Sequence, residues 1–198
     1  MKQRFRSIIF TGHMIDLPDR PQPRFPAWLE VQARGWIRNS IVTATKASGT
    51  DIIGHASGAR GGDILFHEEC RALGLRTIVV LPFPARVFET NSVSGVKSGR
   101  WTARFRKLWR ETSKEDRIVL HLPQSNEAYD LCNTRLIELA KASGAFHLIA
   151  LWDGKGGDGP GGAADLVAKA RAATDHPDIA APFDLEHWPR TAMPADEC

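Results

Sequence analysis

Five short apolar runs recur along the chain: SIIFTG (7–12), DIIGHA (51–56), RTIVVL (76–81), RIVLHL (117–122) and FHLIALW (146–152). Between them lie longer stretches whose apolar residues return every three or four positions, the spacing of one helix face. Residues 27–47 carry Leu29, Ala33, Ile37, Ile41 and Ala44 in this way, and residues 63–73 carry Phe66, Cys70 and Leu73. Residues 125–142 carry Tyr129, Cys132, Leu136 and Leu139, and residues 100–112 and 163–173 complete the helical set. Ser125 stands where an N-cap belongs and Gly74 where a helix stops. A β-branched run without polar alternation suits a strand covered on both faces. Strands joined through helices align in parallel, with right-handed crossovers that leave helices above and below the sheet. The expected fold is therefore α/β: a Rossmann-like three-layer domain with a mainly parallel sheet. One domain is expected over residues 1–175, with a Pro-rich tail at 176–198.

The chain has 198 residues, 42% of them hydrophobic, which is enough for one such core. Its net charge of +3 does not by itself imply nucleic acid. Cys70, Cys132 and Cys198 are odd in number and lack metal-ligand spacing, so a reduced cytoplasmic protein is expected, with no metal and no cofactor. MKQRFRSIIF lacks the apolar run of a signal peptide, and no stretch approaches the roughly 18 apolar residues of a membrane span, so no membrane partner is expected.

In parallel sheets of this kind, ligands sit beyond the carboxyl ends of the strands, near the point where strand order reverses. That rule selects residues 11–16, 57–63, 82–84 and 153–162. The turn S-G-A-R-G-G-D (57–63) lies between a strand and a helix start. Its glycines permit positive φ and close backbone approach, and the free amides of a first helical turn suit a phosphate. Ser57, Gly58, Arg60, Gly61 and Gly62 are expected to hold an anion, with Arg60 as a bidentate clamp. Asp63 reads as an N-cap in that turn. A second glycine-rich loop, D-G-K-G-G-D-G-P-G-G (153–162), offers Asp153, Gly154, Gly161 and Gly162. Gly12 and His13 follow the first strand. Asn133 shares a helix face with Tyr129 and faces either the ligand or a backbone carbonyl. No Walker A loop, G-x-G-x-x-G or G-x-S-x-G is present. The stretch R-W-T-A-R-F-R-K-L-W-R (100–110) interleaves aromatics with cations, which suits either a nucleic-acid backbone or a solvated basic helix face.

S-G-A-R-G-G-D-I-L-F-H-E followed by R-T-I-V-V-L-P resembles a stretch of the Smf DNA-processing proteins. P-G-G (160–162) before a helix resembles the loop of the Lonely guy phosphoribohydrolases, and the run from N-T-R-L-I-E-L-A to L-W-D-G (133–154) is similar to the matching segment of related nucleotide-sensor domains. Together these families define the SLOG superfamily of Rossmann-like domains, and the likeness covers most of residues 7–173. It implies a nucleotide or nucleotide-derived ligand, a place in bacterial signalling or anti-phage defence, and signalling through a homo-oligomer or an effector-module partner. The Lonely guy loop carries a catalytic Glu after P-G-G, whereas Asp165 and Ala168 stand at the aligned positions here. No catalytic residue is therefore assigned, although Asp165, Glu68 or Glu69 offer substitute carboxylates. The first expectation is a ligand sensor. The alternative is an N-glycosidase of the phosphoribohydrolase type. Single-stranded DNA binding through residues 97–110 is the third.

Overall fold

The structure, a computed structural model, describes residues 6–48, 51–156 and 161–173, and the backbone of 178–179. The expected tail otherwise lies outside the described residues. The elements run β1 (Ser7–Gly12), α1 (Glu30–Ser48), β2 (Ile53–Ala56), α2 (Gly62–Ala72), β3 (Arg76–Leu81), α3 (Ala85–Phe88), α4 (Trp101–Glu111), β4 (Arg117–Val119), α5 (Asn126–Ala142), β5 (Phe146–Leu151), α6 (Ala163–Ala173) and β6 (Asp178–Ile179). The strands form one sheet in the order β4-β3-β2-β1-β5-β6, and every neighbouring pair is parallel. This is the Rossmann-like α/β fold that the strand–helix alternation predicts.

Successive strand residues point to opposite faces, and the two faces build separate cores. Ile8 and Phe10 of β1, with Ile149 and Leu151 of β5, pack with α1, α2 and α4. Ile9, Leu148 and Ala150 pack with α5 and α6. The α1 stripe Ala33, Ile37, Ile41 and Ala44 is buried as its spacing requires. Each fully buried isoleucine contributes about 1.5–3 kcal/mol of transfer free energy.

Helix ends follow local chemistry. Gly74 turns the chain at φ 74, and the Leu75 amide returns to the Cys70 carbonyl, closing α2. Ser125 occupies the N-cap position of α5, with no capping hydrogen bond from its side chain to the helix backbone. β4 stops at Val119, short of the expected 122, because His121 adopts φ 53 and leaves the pleat. The chain also forms two unexpected features: the short α3, which runs into a wide turn at Glu89–Val93, and the two-residue β6.

The basic stretch 100–110 is α4, with Trp101, Phe105 and Leu108 buried. Arg104 donates to both Glu68 oxygens at 2.8 and 2.7 Å and to Glu30 at 2.8 Å, and its guanidinium stacks 3.9 Å over Trp101. Arg106 makes a two-pronged pair with Glu89 at 2.8 and 2.7 Å. These cations are held by carboxylates of the same chain. Among the described residues, no helix is long and apolar enough to cross a membrane.

Candidate functional site

β1 pairs with β2 on one side and with β5 on the other, from Ser7↔Phe146 to Gly12↔Leu151. The chain reaches β5 only after building outward to β4, so strand order reverses at β1. The loops leaving β1 and β5 diverge there, and a cavity of about 680 Å³ opens beyond the strand ends. That volume lies in the usual range for small-molecule sites.

The loops after β1 and β2 form one wall and are fastened to each other. The Ile15 amide donates to the Arg60 carbonyl at 3.3 Å, and the Gly62 amide to the His13 carbonyl at 3.1 Å. Gly61 sits between them at φ 95, where a Cβ would lie 2.5 Å from the Ile15 nitrogen. The glycine is required by this loop-on-loop packing, not by an approaching ligand. Gly58 likewise packs toward α4, where a Cβ would meet Phe105 at 3.0 Å.

Arg60 is only 7% exposed and lines the cavity. Its Nε donates to the Ile15 carbonyl at 3.0 Å and its Nη1 to the Ser94 carbonyl at 3.2 Å, while its amide donates to the Ser92 carbonyl at 3.0 Å. No carboxylate pairs with the guanidinium among the described residues. Burial lowers its pKa, partly offset by the more distant Asp16. Arg60 is thus both a strut across three segments and a buried positive charge on the cavity wall. The strut role adds a structural cost to its removal. Losing two side-chain hydrogen bonds of about 1 kcal/mol each, Arg60→Ala should melt roughly 4–8 °C lower than wild type without ligand. Thermal melts of the two apo proteins test this, and an unchanged melting temperature would remove the strut role.

Asp63 lies in the first turn of α2 and is 8% exposed. It is not the N-cap, which is Gly61. Its Oδ2 instead accepts the Ala59 amide at 3.1 Å, closing the turn on itself. Burial raises its pKa to about 7, opposed by that one hydrogen bond. His67, further along α2, holds the Ser57 carbonyl at 2.8 Å and is buried neutral, its pKa lowered by burial to about 4.

The other wall comes from β5, α5 and α6. His13 faces the cavity, and its Nε2 accepts the Asp153 amide at 3.2 Å, joining the loops after β1 and β5. Burial lowers the His13 pKa, with the Asp153 carboxylate opposing. Asp153 itself turns to the Lys155 amide at 3.0 Å and does not line the cavity. Asn133 resolves toward protein: its Nδ2 donates to Asp165 at 2.8 Å and to the Gly162 carbonyl at 3.3 Å, tying α5 to the start of α6. Gly161, at φ 81, lies so close to Tyr129 and Asp130 that a Cβ would overlap the α5 backbone.

Of the residues selected from sequence, Gly12, His13, Ser57, Arg60, Asp63, Asn133, Gly161 and Gly162 line the cavity, whereas Gly58, Gly61, Asp153 and Gly154 do not. Gly62 does not line it either: a Cβ there would meet Phe10 at 3.1 Å and the Gly12 α-carbon at 3.2 Å, so the glycine serves packing beneath the cavity wall. Residues 82–84 also stay clear of it. The remainder of the 153–162 loop, residues 157–160, lies outside the described residues. None of the substitute carboxylates faces the cavity. Asp165 pairs with Lys169 at 2.9 Å, Glu68 pairs with Arg34 and Arg104, and Glu69 with Arg34 and Arg38.

Sequence reasoning missed two lining segments. One is the Pro-rich loop 17–26 between β1 and α1, which contributes Leu17, Asp19, Arg20, Pro21 and Arg24; the other contributes Phe88, Asn91 and Ser92. Asp16 folds that loop back by accepting the Arg24 and Phe25 amides, each at 2.9 Å. Arg24 then donates to the Gly156 carbonyl at 2.7 Å, bridging the cavity mouth to the loop after β5. Among the described residues, no group of three His, Cys, Asp or Glu side chains is placed to hold a metal ion. The chain matches no family model and no curated protein sequence.

Proposed function

We propose that this protein binds a nucleotide or nucleotide-derived signal molecule in the cavity beyond β1, β2 and β5, as a SLOG-like sensor domain. The observation that carries the reading is Arg60, a buried guanidinium without a carboxylate partner among the described residues, on the wall of a ligand-sized cavity. A buried charge is costly unless a counter-charge or hydrogen bonds compensate it, and a ligand phosphate would supply the missing charge. The first turns of α2 and α6 open on the same space, through Asp63 and through Ala163 and Ala164, and their amides favour an anion. Tyr129, Phe88 and Leu136 give the cavity an apolar side suited to a base.

The glycosidase reading has less support, because Asp165, Glu68 and Glu69 are committed to cations of the chain. DNA binding through α4 loses Arg104 and Arg106 to Glu30, Glu68 and Glu89. Under the sensor reading, the domain serves a bacterial signalling or defence system and acts through self-association or an effector partner. A thermal-shift screen with mono-, di- and cyclic nucleotides and ADP-ribose tests it. A ligand at about 100 times its Kd adds roughly 2.7 kcal/mol of stability. A flat response across the panel would overturn the reading.

A further inference from the structure

Among the described residues, three carboxylates line the cavity: Asp16, Asp19 and Asp63. Asp16 is engaged by the amides of Arg24 and Phe25, with Arg20 Nε 3.5 Å from its other oxygen. Asp19 lies on the exposed Pro-rich loop. Asp63 differs from both. It is buried at the head of α2, and among the described residues its hydrogen-bond partner is the Ala59 amide, on Oδ2, which leaves Oδ1 for whatever fills the cavity. Among the described residues, no cation pairs with it. Arg60, three residues earlier, turns its guanidinium to Ile15 and Ser94; His13, from the loop after β1, turns to Asp153; and Cys132 is the titratable group that faces Asp63 from α5. Cys132 is itself a neutral thiol, its pKa pushed by burial up to about 12.

A carboxyl group buried without a cation favours its uncharged form, in keeping with its raised pKa of about 7. An uncharged carboxyl is a planar fork carrying one donor and one acceptor, whereas a carboxylate carries acceptors only. The donor–acceptor fork matches an exocyclic amine beside a ring nitrogen, the edge that adenine and cytosine present. The carboxylate matches the paired N–H donors of guanine.

We propose that Asp63 reads the base of the bound nucleotide: its Oδ1–H donates to a ring nitrogen of adenine or cytosine, and Oδ2 accepts the exocyclic amine with the lone pair that the Ala59 amide leaves free. The inference rests on the nucleotide reading above. It ties binding to a proton, because the base holds Asp63 in the uncharged form and binding above its pKa takes a proton up.

The test is titration calorimetry of AMP, CMP, GMP and IMP between pH 6 and 8.5, on wild type, Asp63→Asn and Asp63→Ala, with melts of each apo protein to confirm folding. Asparagine presents the same donor and acceptor at every pH. Wild-type affinity for AMP or CMP should fall about tenfold per pH unit above 7 relative to Asp63→Asn, whose profile lacks that fall. Asp63→Ala should bind at least tenfold more weakly than Asp63→Asn at pH 6. The stronger of AMP and CMP identifies the base. Parallel pH profiles for wild type and Asp63→Asn, or tightest binding to GMP, would overturn the role of Asp63 while leaving nucleotide binding intact. Binding of none of the four would count against the nucleotide reading itself.

Discussion

At pH 8, Asp63→Asn should melt roughly 5–15 °C above wild type. Asp63 titrates near 7 in the folded chain against an ordinary value of 3.8. Its favourable contribution is therefore complete below 3.8 and is lost as pH rises through 7. By pH 8 the native state carries an ionised, buried, unpaired carboxylate at a cost of about 2–4 kcal/mol, which the amide avoids. The carboxamide oxygen of the variant can still accept the Ala59 amide, so the turn keeps its closing bond. His55 and His67 act with the opposite sign. Both are buried, and their pKa values are lowered from 6.5 to about 4. Their contribution is present above 6.5 and is lost as pH falls toward 4. Between those limits, unfolding of wild type takes up two protons on these histidines and releases one from Asp63, a slope of about 1.4 kcal/mol per pH unit. In Asp63→Asn the release is gone and the slope doubles, with His13 adding in the histidine direction. Thermal melts at pH 5, 6.5 and 8 measure both effects, and identical curves for the two proteins would show that Asp63 is not strained by burial.

Gly61→Ala should destabilise the apo protein by about 2–5 kcal/mol. Part of the cost is backbone strain at φ 95. The rest is a methyl group driven against the Ile15 nitrogen and the His13 carbonyl, neither of which can rotate away. Gly154→Ala is the matched control: φ is 79, yet nothing lies within 4 Å of the added carbon, so only strain remains. Urea midpoints should separate the two variants clearly, and a Gly61→Ala midpoint equal to that of Gly154→Ala would mean that the loops after β1 and β2 can part without loss. Because these loops form one wall of the cavity, Gly61→Ala should also lose ligand response in any protein that remains folded.

Most of the fold is legible in the chain because burial imposes a period. RTIVVL gives β3 at its observed bounds, and the α1 stripe falls on the core as its spacing requires. The carboxyl-end rule likewise finds Gly12, His13, Ser57, Arg60 and Asp63, since topology fixes where those loops emerge. The partners of these side chains are a different matter. Arg60 binds the carbonyls of Ile15 and Ser94, and every residue has a carbonyl, so composition nominates none of them. The four prolines of residues 17–26 make that loop stiff, but its path over the cavity depends on one carboxylate, Asp16, meeting the amides of Arg24 and Phe25 across the turn. Gly61 reads as a ligand glycine because a tight turn against a ligand and a tight turn against another loop need the same residue.

The hydrogen bond from Asp153 to His13 spans 140 residues of sequence. During synthesis, β1 waits as an open edge while β2, β3 and β4 add on its far side. Only when β5 emerges does it take the place beside β1, and only then does the loop bearing His13 meet the second wall. A chain halted before β5 has most of one core but lacks the part of the second wall that β5 and α6 supply. Under the sensor reading, a ligand that needs both walls would stabilise only those chains whose sheet has closed around β1.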